Sequence, residues 1–212
     1  MQFSFKKGER VGTYTIVEPE LGRGGSGVVS LVLDKKENKC VIKFLTITDK
    51  PQLKDLFKIE YERQKGLSHP NVAKALDFGF HEGFFYLVSE YIEGGDLYET
   101  SFHLAPDEMM PIFLEILEAL DYIHKNGFVH LDIKPENILI RKADRKIKLI
   151  DLGVASVISD FKNMGQGTLP FTAPEIALGL DEEVDARADL FSFAATAYYC
   201  LTRGKLPFLQ RN

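Results

Sequence analysis

The chain has 212 residues, with 26 Lys and Arg against 31 Asp and Glu, for a formal net charge of −5. This balance gives no bulk attraction to nucleic acid or anionic lipid, and 45% hydrophobic residues suffice for a packed core, which excludes extended disorder. No apolar run reaches the ~18–20 residues of a membrane span, residues 1–7 lack a signal-peptide stretch, and Cys40 and Cys200 are too few for a disulfide scaffold. A reducing, cytoplasmic setting is expected, without nucleic acid, without a membrane span and without a structural zinc site built from cysteines and histidines.

In chain order, residues 11–17 alternate roughly, residues 28–33 are apolar and β-branched, and residues 39–45 (KCVIKFL) repeat that pattern. These are expected strands, the last two joined by a hairpin at Asp34-Lys35-Lys36-Glu37-Asn38. Residues 52–67 read as a helix charged on one side. Ser68-His69-Pro70-Asn71 stops it, because the residue before a proline leaves the α region. Strands resume at 73–80 and 84–89, and Glu93-Gly94-Gly95-Asp96 reads as a linker. Beyond it, Pro106-Asp107-Glu108 opens a helix with proline and acid in its first turn. Phe113, Leu117, Leu120 and Ile123 keep its period, and Asn126-Gly127 closes it. Short apolar runs follow at 137–140 and 147–150, then a loop-like stretch over 153–174 and an apolar, aromatic, buried helix over 189–201. The expectation is a small β-rich lobe, residues 1–92, followed by a larger, mostly helical lobe, residues 93–212.

Gly22, Gly24 and Gly27 set a G-x-G-x-x-G-x-V pattern, and missing Cβ atoms let backbone N–H groups approach phosphate oxygens. A dinucleotide fingerprint would need a helix next, whereas residues 28–33 read as strand. Lys43 lies one strand later among apolar neighbours, a point charge able to grip phosphates. Glu60 and Glu62 are candidate anionic partners on the following helix. The segment from Val129 to Leu139 sets Asp132 five residues before Asn137 with Lys134 between. A carboxylate can orient a hydroxyl and accept its proton, and an amide oxygen suits a hard cation such as Mg²⁺. Asp151-Leu152-Gly153 adds a second carboxylate.

These motifs together resemble those of the eukaryotic-type (Hanks-type) serine/threonine protein kinases: the Gly-rich loop, the strand lysine, a helix glutamate, H-x-D-x-K-x-x-N, D-x-G and Ala173-Pro174-Glu175. The resemblance runs from Tyr14 to about Phe208. It implies an α+β, bilobal protein-kinase-like fold and transfer of the γ-phosphate of ATP to protein Ser or Thr hydroxyls, with Mg²⁺. By the same resemblance Gly22, Gly24 and Gly27 cover the phosphates, and Lys43 contacts them and pairs with Glu60. Glu90, Tyr91 and Ile92 form the hinge, Asp96 reaches the ribose, and Val29, Val41 and Leu139 sandwich adenine. Asp132 is the base or hydroxyl-orienting residue and Lys134 steadies the transferred group. Thr168 supports both, Asn137 and Asp151 bind Mg²⁺, and Asp189 braces the catalytic-loop backbone. The alternative is a nucleotide-binding pseudokinase or scaffold; its mark is loss of Lys43, Asp132, Asn137 or Asp151, and all four are present.

The sequence also departs from the family pattern. Leu131 stands where many members carry an arginine that pairs with an activation-loop phosphate, and Met164 lies near the phosphosite, so activation-loop phosphorylation is expected to be dispensable. Leu152 replaces phenylalanine in Asp-Phe-Gly, Gln64 replaces an apolar spine residue, and Phe191 and Ala194 replace Trp and Gly. Family members continue beyond Pro207-Phe208 with further helices. A partner chain, self-association or a missing C-terminal segment is therefore expected to cover residues 191–208, an area that for a standard interface is ~800 Å² per partner.

Overall fold

The computed structural model describes residues 5–24, 27–45, 58, 61, 62, 64–152, 169–178 and 184–207. The chain divides into two compact units: Met1–Gly66 with Lys74–Tyr91, and Leu67–Ala73 with Ile92–Asn212.

The first unit is built on a six-stranded antiparallel sheet of β1 (Arg10–Val11), β2 (Tyr14–Gly24), β3 (Gly27–Leu33), β4 (Lys39–Leu45), β5 (Ala75–His81) and β6 (Phe84–Glu90). The strand order is β1-β2-β3-β4-β6-β5. Period-2 alternation sends Ile16, Val28, Val32, Ile42, Phe44 and Val88 into a buried core with Val11, Tyr14, Cys40 and Tyr86 nearby. Each fully buried large side chain contributes about 1.5–3 kcal/mol. The sheet curls so that its two ends meet: the Tyr14 hydroxyl on β2 donates to Asp77 Oδ2 on β5 at 3.1 Å. The expected hairpin at 34–38 is present, closed by Asp34, whose Oδ1 accepts the Lys36 and Asn38 N–H groups at 2.7 and 2.8 Å. Residues 58, 61, 62, 64 and 65 are helical, within the helix expected over 52–67.

The second unit contains a three-stranded antiparallel sheet, β7 (Gly94–Asp96), β8 (Ile138–Arg141) and β9 (Ile147–Leu149). Its α-helices among the described residues are α1 (Leu97–Ser101), α2 (Pro106–Lys125), α3 (Pro174–Ala177) and α4 (Ala186–Leu201). Helix α2 starts at Pro106, where Glu108 Oε2 accepts the Ala105 N–H at 2.8 Å. It buries Met109, Ile112, Phe113, Ile116, Ala119, Leu120 and Ile123, a 3–4 spacing that defines one apolar stripe. These pack with Leu97, Ile133, Ile138, Ile147, Leu149 and Tyr199 in the larger core.

Three features differ from the sequence expectation. The segment read as a linker is strand β7: Gly94, Gly95 and Asp96 pair with Arg141, Ile140 and Leu139. No strand propensity announces this; the pairing depends on Gly94, where a Cβ would lie 1.9 Å from the Ile140 carbonyl oxygen. Helix α4 begins three residues earlier than expected, at Ala186, because Asp185 caps it by accepting the Arg187 N–H at 2.8 Å. Residues 67–73 group with the second unit. There Ala73 N–H donates to Leu149 O at 2.9 Å, Leu149 N–H to Asn71 O at 2.8 Å, and Ser68 N–H to the Tyr122 hydroxyl at 2.8 Å.

Candidate active site

In the first unit the candidate residues are aligned by strand register. Gly22 faces Val29 across β2 and β3, and Val29 faces Lys43 across β3 and β4. Cross-strand partners share a face, as do residues two apart on a strand, so Val29, Val41 and Lys43 project from the same side of the sheet. Ile42 and Phe44 point the other way, into the core. Lys43 is only 7% exposed, an unusual state for a lysine that its place on an inner strand imposes. Glu62, the alternative acidic partner of Lys43, is exposed, and Glu60 lies outside the described residues. Glu90 ends β6 opposite Cys40; its backbone N–H donates to Lys74 O at 3.1 Å and its Oε1 accepts the Lys74 N–H at 2.9 Å.

In the second unit Ile92 is buried and Asp96 pairs directly with Leu139 across β7 and β8. The register therefore brings the expected ribose-binding and adenine-contacting residues side by side. One Asp96 oxygen also caps α1, accepting the Glu99 N–H at 2.9 Å.

The segment at 130–137 is a mesh of hydrogen bonds. Lys134 Nζ reaches both Asp132 carboxylate oxygens, at 3.0 and 2.8 Å. Asn137 Nδ2 donates to Asp132 O at 2.8 Å and to Asp132 Oδ2 at 2.7 Å. Both acceptors are oxygens, which assigns the amide orientation and leaves Asn137 Oδ1 as a hard donor. Asp132 and Lys134 keep 27% and 23% side-chain exposure, enough to meet a second reactant.

Asp189, fully buried on α4, anchors this mesh. Its Oδ2 accepts the His130 N–H at 2.8 Å and contacts His124 Nε2 at 2.7 Å, and its Oδ1 accepts the Leu131 N–H at 2.8 Å. That grip holds Leu131 at φ 63°, a backbone region costly for a branched residue. His130 is fully buried; its Nε2 lies 3.0 Å from Ile150 O, and its Nδ1 accepts the Asp132 N–H at 3.4 Å, which defines the Nε2–H tautomer. Ile150 N–H in turn donates to Asn137 O at 3.0 Å. Asp151 follows immediately, at φ 61°. The chain carrying Asp151 is thus stitched to both His130 and Asn137.

Gly24 lies at the end of β2, opposite Gly27. Thr168 lies outside the described residues, as do Met164, Ser156 and Ser159. Sequence reasoning missed His124 as the third partner of Asp189: a histidine in a last helical turn reads as a dipole partner and carries no other signal. Burial pushes the Cys200 thiol up to about 11, which makes it a poor nucleophile.

Residues 15–212 match the family model described as Protein kinase domain. The chain belongs to this family. A probable serine/threonine-protein kinase KIN1 homolog of Enterocytozoon bieneusi is 36% identical over 216 residues, covering 98% of this chain and 35% of that protein. Serine/threonine-protein kinase PknF of Mycobacterium tuberculosis is 32% identical over 223 residues, covering 97% and 46%. The chain spans less than half the length of either relative. Among solved structures, a cysteine-to-alanine mutant of the PknI kinase domain of Mycobacterium tuberculosis superposes with a TM-score of 0.79 at 26% identity, covering 99% of this chain and 82% of that one. Rad53 1-466 in complex with AMP-PNP gives a TM-score of 0.77 at 27% identity, covering 94% and 51%. The protein-kinase fold, with its β-sheet unit and its largely helical unit, is the fold of this chain. Among the described residues no helix is long and apolar enough to cross a membrane.

Proposed function

We propose that this chain transfers the γ-phosphoryl group of ATP to Ser or Thr hydroxyls of protein substrates, in a cytoplasmic setting. The observation that carries the reading is Asp132 held by Lys134 and Asn137 at 2.7–3.0 Å on a backbone clamped by buried Asp189. In this reading Asp132 orients the acceptor hydroxyl and takes its proton. The hydroxyl oxygen bonds to the γ-phosphorus as the bond to the ADP oxygen breaks, and Lys134 turns from Asp132 toward the transferred group. Gly22, Gly24 and Gly27 cover the phosphates by backbone N–H groups, and Lys43 with Glu60 grips them. Val29, Val41 and Leu139 enclose adenine, Glu90 and Ile92 meet its edge, Asp96 meets the ribose, and Thr168 supports Asp132 and Lys134. Asn137 Oδ1 with the Asp151 carboxylate is an all-oxygen donor set that suits Mg²⁺, which would neutralise phosphate charge there. Preorganised charge and position are what phosphoryl transfer requires of a protein.

The same reading includes independence from activation-loop phosphorylation. Leu131 packs against the cluster of Ala173, Ile176 and Ala188, an apolar contact between the catalytic segment and 173–176. An arginine would need an anion there; leucine joins the two segments without one. The expected cover over 191–208 finds support in α4, where Tyr198 and Leu201 are 37% and 43% exposed.

The test is labelled phosphate transfer from ATP to protein substrates by phosphatase-treated chain, verified by mass as unphosphorylated. Transfer by the wild type, with Asp132→Asn and Asp151→Asn each lower by about 10²–10⁴-fold, is expected. Nucleotide binding without transfer would establish the pseudokinase instead. Activity that appears only after phosphorylation at Ser156, Ser159, Thr168 or Thr172 would overturn the regulatory part.

A further inference from the structure

The curled sheet of the first unit brings three ligand-type side chains together where its two ends meet. Glu9 lies immediately before β1, fixed by Ile16 N–H donating to Glu9 O at 2.9 Å and by Gly8 N–H donating to Ile16 O at 2.8 Å. His81 is the last residue of β5, and Glu82 opens the tight Glu82-Gly83 turn into β6, with φ values of 47° and 92°. One ligand atom from each of Glu9, His81 and Glu82 lies within 4.8 Å of the other two. The Lys6 N–H holds Glu9 Oε2 at 2.9 Å, and the Phe5 ring lies 6.3 Å from the imidazole.

A second observation points to an ion. His81 Nε2 is enclosed and has no hydrogen-bond partner among the described residues. Enclosed ring nitrogens without a partner are rare, and an ion is one of the few groups that satisfies one. Glu9 and Glu82 form no ion pair with a described residue, so two carboxylates converge on a histidine that has a ring nitrogen without a partner. Two carboxylates and a neutral imidazole match a doubly charged ion. Imidazole nitrogen selects a transition ion over Mg²⁺ or Ca²⁺.

We propose that Glu9, His81 and Glu82 bind a divalent transition-metal ion, Zn²⁺ by donor chemistry, that clasps the two ends of the six-stranded sheet. Zn–N and Zn–O bonds of ~2.0–2.2 Å put ligand atoms ~3–3.5 Å apart around one ion, so small side-chain adjustments close the triad; a water completes four-coordination. Two carboxylates here take the place of the cysteines that a structural zinc site built from cysteines and histidines would need. The clasp acts across the same ends as the Tyr14–Asp77 hydrogen bond. It shares no residue with the phosphotransfer reading.

The test uses the full chain stripped with chelator and titrated with Zn²⁺ calorimetrically in millimolar Mg²⁺, which occupies hard-oxygen sites. One equivalent bound at micromolar Kd or tighter is expected, with a rise in Tm of about 2–4 °C or more that chelator reverses. Co²⁺ in place of Zn²⁺ should give visible d–d bands that His81→Ala abolishes. Glu9→Gln and Glu82→Gln, which each replace a charged carboxylate by a weaker neutral amide oxygen of the same size, should weaken binding at least tenfold, and they decide the matter if His81→Ala fails to fold. Zn²⁺ binding weaker than millimolar, or binding unchanged in both glutamine variants, overturns the proposal.

Discussion

The two units hold their candidate site residues by different devices. In the first, Gly22, Val29 and Lys43 are aligned by strand register, and what keeps them in line is pairing between backbones. In the second, Asp132, Lys134 and Asn137 hang on side-chain hydrogen bonds anchored by one buried carboxylate, Asp189. A ladder distributes its cost over many equivalent bonds, whereas a mesh concentrates it on the acceptor that several donors share. The first device should be vulnerable to added volume at a close approach, the second to removal of a single polar group.

The largest expected effect is on the mesh. Asp189→Ala leaves the His130 and Leu131 N–H groups buried without an acceptor and frees a strained φ at Leu131. A loss of about 3–5 kcal/mol is expected in urea unfolding, with phosphotransfer lost even where the fold survives. A stable Asp189→Ala chain with normal transfer would break the contrast. Next comes added volume in the ladder. A Cβ on Gly27 would lie 1.9 Å from Phe44 O, so Gly27→Ala should cost about 2–4 kcal/mol by thermal or urea unfolding. Gly94→Ala sharpens the comparison, because Gly94 lies in the second unit yet meets Ile140 O at the same 1.9 Å. If device rather than unit governs, the two alanine variants lose similar stability.

The same distinction explains what could be read from sequence. Strands β3 and β4 announce themselves through β-branched alternation, and α2 through its stripe and its proline start, because those signals are local. The strand β7 was invisible: Gly94-Gly95-Asp96 has no strand propensity, and only the approach of β8 makes the glycines necessary. Asn71 reads as part of a helix stop. Its amide in fact donates to Ile147 O at 3.1 Å and Glu115 Oε2 at 3.0 Å, contacts 76 and 44 residues away. Motif resemblance pointed to Asp132, Lys134 and Asn137, which the structure joins by hydrogen bonds, and to Asp189 as a brace. It carried no hint that His124 shares that carboxylate. Long-range polar partners leave no periodic trace in a single sequence.

A third, smaller effect tests the apolar seam. Leu131→Arg would press a guanidinium against Ala173, Ile176 and Ala188. About 1–3 kcal/mol of stability should be lost by urea unfolding, with transfer recovering only when an anion near 173–176 pairs with the new charge.

The smallest expected effect concerns the ends of the ladder. Tyr14 donates to Asp77 at 3.1 Å, and Tyr14→Phe should cost about 1 kcal/mol at neutral pH. Burial first, then the Asp77 charge and hydrogen bond, raise the Tyr14 pKa well above the usual tyrosine value. A tyrosine whose folded pKa is raised contributes stability that is fully present below the unfolded pKa of about 10. Above that pH the unfolded chain releases the proton while the folded chain keeps it, so stability falls as pH rises toward the folded pKa. Urea unfolding at pH 7, 9 and 10.5 should therefore show wild-type stability falling more steeply than that of Tyr14→Phe. The variant keeps a residual slope, because burial also raises Tyr86 and Tyr199. Parallel slopes in the two proteins would mean that the Tyr14–Asp77 contact does not hold the sheet ends together in solution.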